Sequence, residues 1–126
     1  MLVRAFELFS YPNSGILAHV KKIKEKPDEV KRVIKVGIKA NRYIRQNREG
    51  TAQVLRVWLK IDNETAVDTY DSIAKAFKPD GSLPESGLRI LIDEAKKDNR
   101  INRDVSFNEV ADLSILLEVQ RELGIK

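Results

Sequence analysis

Cysteine is absent from this chain and histidine occurs once. Without cysteine there is no disulfide framework, no thiolate metal site and no thiol nucleophile, and the redox compartment is left open. A Ser-His-Asp triad would have to use His19 itself, in a segment that reads as a strand end or loop. Metal-ligand spacings such as HExxH or an EF-hand loop are missing, as is a glycine-rich phosphate loop. Asp68 and Asp71, and the Asp93-Glu94 pair, fall on polar helix sides, where carboxylates are ordinarily just solvated. An enzyme is not expected, and no cofactor or metal is implied. Apolar runs stay short of the ~20 residues of a membrane span, and Arg4 and Glu7 interrupt Met1 to Leu8, so neither a span nor a signal peptide is expected.

What is present is helical periodicity. With 126 residues and 42% apolar content, the chain suits a single domain with a modest core. LVRAFELF, residues 2 to 9, alternates as a strand, and Tyr11 to Gly15 is turn chemistry before a second short apolar run, Ile16 to His19. Pro27 suits a first helical turn, with Asp28 and Glu29 at the positive end of the macrodipole. Val30, Val33, Ile34, Ile38 and Ile44 then predict a helix over about 27–47. Ala52, Leu55, Trp58 and Leu59 suggest a short second helix, with Trp58 expected in the core. Asp62 is placed to cap a third, whose Ala66, Tyr70, Ile73, Ala74 and Phe77 form a buried stripe. Lys78 to Gly81 reads as a turn. Ser82, Pro84 and Glu85 mark the entry to a fourth helix carrying Leu88, Leu91, Ile92 and Ala95. Ser106 and Glu109 form a capping box, with Val105 and Val110 spaced as a hydrophobic staple, and a final helical region closes at Gly124. The expected fold is mainly α, with about five helices after a short N-terminal β element.

Charge is unevenly placed. His19 to Arg48 holds eleven Lys/Arg against three acids, so this segment is more basic than the +4 of the whole chain and the remainder is acidic. Arg32, Lys35, Lys39 and Arg42 step by three or four residues along the first long helix, the spacing needed to track phosphates. Nucleic-acid recognition normally adds a recognition helix after a tight turn, aromatic stacking platforms or a second basic element. None is evident, so the basic face reads as solvated and nucleic-acid binding is not the leading expectation.

The order of motifs is distinctive: YPNSGILA, KKIKEKPDEVKRVIK, ANRYIRQNRE, DNETAVDTYDSIAKAFKPDG and FNEVADLSILLEVQRELGI. This succession resembles the C-terminal part of ABC-transporter substrate-binding proteins of the nitrate/sulfonate/taurine type, a group that includes binders of a thiamine-pyrimidine precursor. The KPDEVKR stretch, the YIRQNR stretch and the block from 65 to 81 carry most of it. Lys26 stands where the family often has Asn. The resemblance implies the C-terminal part of a type II periplasmic binding fold, two lobes closing on a small organic solute delivered to an ABC permease. It also implies a periplasmic setting and an outward-facing basic helix. On that pattern the chain would begin near the end of the second lobe and would not form a complete clamshell alone. Asn13 and Ser14 are the residues placed to approach a cleft. With the sheet of such a fold mostly missing, Val30, Ile34, Ile38, Leu55, Leu59, Tyr70 and Phe77 are expected to exceed what one helical layer can cover, which predicts a symmetric homodimer. An isolated first strand would add a second route to pairing.

Overall fold

The computed structural model describes residues 15–125, and they are mainly helical. The strand read at residues 2 to 9 and the candidate contacts Asn13 and Ser14 lie outside the described residues. Residues 15 to 19 have no regular structure, and His19 instead caps a short helix not foreseen in the sequence, α1 (Val20–Glu25), by accepting the Lys21 N–H on Nδ1 at 3.1 Å. Lys26 ends α1 because the following proline disfavours helical backbone at the residue before it.

Pro27 then opens α2 (Pro27–Gln46) at its first position. Asn47 both ends α2 and starts α3 (Arg48–Leu59), its side chain accepting the Gly50 N–H at 2.8 Å. Lys60, in a left-handed conformation, stops α3. Asp62 caps α4 (Asn63–Ile73) as the sequence predicts, accepting from both the N–H (2.8 Å) and the hydroxyl (2.7 Å) of Thr65. A 3-10 turn, Ala74–Ala76, then leaves Phe77 in extended backbone past the helix end.

The fourth predicted helix, α5 (Glu85–Asp98), begins without its capping box. Asp80 takes the Ser82 N–H at 3.0 Å, so Ser82 belongs to the preceding turn and Glu85 pairs with Arg89 one turn on, at 2.6 Å. The box at Ser106 and Glu109 does form, but the helix it opens, α6 (Phe107–Val110), lasts one turn. Val110 is exposed, so the Val105–Val110 staple is not packed. Asp112 breaks the run by accepting the Ser114 N–H (2.9 Å) and hydroxyl (2.6 Å), and α7 (Ser114–Glu122) restarts there. The predicted final helical region is therefore two helices. Gly124 ends it at φ +67, with the Ile125 N–H reaching back to the Gln120 carbonyl at 2.9 Å.

Two packings organise these elements: α3 lies against α4, and α2 lies against α7. Val30, Ile38, Ala52, Ala66, Tyr70, Ala74, Ile92 and Val119 are buried, with Ile38 and Val119 the largest side chains almost fully enclosed. Tyr70 joins the two halves by donating its hydroxyl to the Ile44 carbonyl at 2.8 Å. The turn from Lys78 to Gly81 is held by side chains from two helices. Asn41 donates to the Lys78 carbonyl (2.8 Å), Arg42 to that of Pro79 (3.1 Å) and Gln120 to that of Asp80 (2.8 Å).

Candidate functional site

The basic face of α2 divides into two rows. Residues seven apart lie roughly two turns apart on nearly the same line, so Arg32 aligns with Lys39 and Lys35 with Arg42. The second row is engaged. Lys35 donates to Glu122 of α7 at 2.9 Å, beside Lys31, which bridges Glu118 (2.6 Å) and Glu122 (2.5 Å). Arg42 is committed to the Pro79 carbonyl. Donation first to Glu118 and then to Glu122 raises the Lys31 ammonium above its ordinary range, and acceptance first from Lys31 and then from Lys35 lowers the Glu122 carboxyl below its own. The acids responsible are 87 residues away in sequence, which is why the sequence pattern shows four equivalent cations. Only Arg32 and Lys39 of the four remain exposed with no hydrogen bond or ion pair to another described residue.

Two depressions mark the surface. One is lined by His19, Lys21, Lys22, Glu25 and Lys26, the other by Asp93, Lys96, Lys97, Arg100, Ile101 and Asn102. Each comes from a single local stretch of chain, whereas a solute cleft draws polar groups together from separate elements over an apolar floor. Among the described residues no three His, Asp or Glu side chains converge as a metal set. No helix among them is long and apolar enough to cross a membrane.

The feature that the sequence reading places wrongly is Trp58. It is 83% exposed, not core. On a helix one residue is ~100° of rotation, so Trp58 stands on nearly the same line as the buried Thr51, two turns further along, next to the C-terminal end of α3 at Leu59. Val54 and Val57 share its outer side and are also exposed. Gly50, one turn before Val54, continues this side, and a methyl there would collide with the Tyr43 hydroxyl, so the half-exposed Tyr43 ring borders the same surface. Helix α3 thus carries two apolar faces. The outer one was legible as Val54, Val57 and Trp58 at i, i+3 and i+4.

Of the seven residues expected to lack cover, Val30, Ile38 and Tyr70 are buried, Ile34, Leu55 and Phe77 are half-buried, and Leu59 alone is exposed. Most of the exposed large apolar side chains are others, among them Val54, Val57 and Trp58 on α3, Val33, Val36 and Tyr43 on α2, and Leu17 and Val20 before and in α1. No family model, no curated protein and no solved structure matches the chain.

Proposed function

We propose that this chain is a solute-binding-protein-like segment related to ABC-type uptake of a small organic solute, and that it acts by surface association, as a homodimer, with no covalent chemistry. The order of sequence motifs supports the uptake relation. The observation that carries the association reading is that many large apolar side chains stand exposed, Trp58 the largest of them, while the depressions are lined mainly by basic side chains. A stand-alone helical interaction module is the second reading, and the same exposed face favours it. Nucleic-acid binding ranks third, because Lys35 and Arg42 are engaged within the chain, and of the stripe Arg32 and Lys39 are the cations without a partner among the described residues.

Calorimetry with taurine, nitrate and a pyrimidine, together with light scattering over a range of protein concentrations, separates these readings. Self-association without solute binding by the chain alone is expected. A stable monomer that takes up one of the solutes at micromolar affinity overturns the association reading. Sequence-selective DNA binding that persists at ~200 mM salt would restore the third.

A further inference from the structure

We infer that the outer side of α2 is the bed for an acidic amphipathic helix of another protein, a surface that goes beyond the association reading above and does not depend on it. Seven residues make nearly two full turns, so Glu29, Val36 and Tyr43 share one line along α2. Arg32 and Lys39 stand ~40–60° to one side of that line, and Val33 and Ala40 ~40–60° to the other. Apart from Glu29 all of these side chains are exposed, whereas Ile38, nearly opposite, is buried. The strip has edges. Round past Arg32 and Lys39, Lys31 and Lys35 are latched to α7, and round past Val33 and Ala40 a Cβ on Gly37 would stand 3.2 Å from Ile16 Cδ1. Between them ~100° of helix surface lies open, the width of a helix-packing stripe.

Spacing and charge decide the occupant. Val33, Val36, Ala40 and Tyr43 recur at intervals of three, four and three, which is the seam one helix offers to another. Arg32 and Lys39 each precede a seam position, where charge selects the partner. The acids bordering the strip are matched within the chain: Glu29 by Lys22 and Lys26, Glu118 by Lys31, and Glu122 by Lys31 and Lys35. Asp28 is set against the positive end of the macrodipole in the first turn. Arg32 and Lys39 have no such match among the described residues, so the strip presents two unanswered cations seven residues apart. A second α2 is the wrong partner, because an antiparallel pair sets the cationic row against itself and a parallel pair aligns the macrodipoles. A lipid surface takes a bulkier apolar face than two valines, an alanine and a half-exposed tyrosine. A helix with an apolar seam and carboxylates seven residues apart on one flank answers both rows.

The probe is a labelled synthetic peptide of ~21 residues, three heptads with Leu at the seam and Glu on both flanks, compared with its counterpart carrying Lys on the flanks. In anisotropy titrations the full-length chain should bind the Glu peptide at ~10–100 µM and the Lys peptide at least ~10-fold more weakly. Arg32→Glu with Lys39→Glu should reverse the preference. Arg56→Glu with Lys97→Glu, the same change in net charge placed on α3 and α5, should leave it unchanged. Val36→Asn should weaken the Glu peptide at least ~5-fold, with an unaltered urea midpoint because Val36 is 66% exposed. A lowered midpoint for Val36→Asn shows the strip covered by the chain itself and overturns the docking. Equal binding of the two peptides, binding of neither, or a preference that the Arg32–Lys39 reversal leaves standing overturns it as well. Attachment to phosphatidylglycerol vesicles that this reversal abolishes, without peptide binding, assigns the strip to lipid and overturns the helix partner.

Discussion

Replacing Gly81 with alanine tests whether the turn between α4 and α5 is wedged into the core. Gly81 sits at φ +71, where an L side chain costs ~1–2 kcal/mol in backbone strain. A Cβ there would lie 2.9 Å from Ile38 Cγ1 and 3.4 Å from both Ile38 Cδ1 and Leu116 Cδ1. Ile38 is only 2% exposed and has nowhere to retreat, so relieving the contact should cost a further ~1–3 kcal/mol of overpacking. Loss of glycine's freedom in the unfolded chain offsets ~0.4–1 kcal/mol of this. The net expectation is a loss of about 2–4 kcal/mol, a large share of the ~5–15 kcal/mol that holds a domain of this kind together. Gly124 supplies the control. Its φ is +67, yet nothing lies within 4 Å of a Cβ built there, so Gly124→Ala carries the strain without the collision. Urea denaturation followed by far-UV circular dichroism gives both losses, and their difference isolates the packing contribution. Equal losses in the two variants would refute the wedge.

Thr51 is buried with its hydroxyl unpaired among the described residues, so Thr51→Val keeps the shape, removes an unsatisfied group and should raise stability by about 1 kcal/mol in the same urea experiment. Tyr70→Phe deletes the hydroxyl that reaches the Ile44 carbonyl and should lower stability by ~1–2 kcal/mol, visible as a lower midpoint with an unchanged slope. Glu122 has its folded pKa depressed, so its contribution is present above the ordinary carboxylate range of ~4.3 and is lost as pH falls through the folded value. Glu122→Gln should therefore flatten the fall of Tm on acidification from neutral pH to pH ~3, and an unchanged slope would deny the lysine–glutamate latch between α2 and α7.

Helices were legible in this sequence because what makes them is local. Pro27 opening α2, Asp62 capping α4, the Ser106–Glu109 box and Gly124 closing α7 each act within a few residues, and each stands where the spacing predicts. The failures also have local causes that competed. Asp80 took the N–H of Ser82 before a capping box could form, and Asp112 restarted a helix that periodicity runs through. What the sequence could not decide was which apolar face meets a neighbour. Helix α3 has two, and only the tertiary packing covered Thr51 and Ala52 in its first turns and left Val54, Val57 and Trp58 further along in solvent. The basic stripe of α2 was likewise a true pattern whose meaning rested on distant acids. Glu118 and Glu122 reach Lys31 and Lys35 across 87 and more residues of chain and leave Arg32 and Lys39 without a partner among the described residues. Period and capping report forces between residues close in sequence, and so they determine the elements. Burial and ion pairing arise between elements that the chain brings together only on folding, so they decided the site.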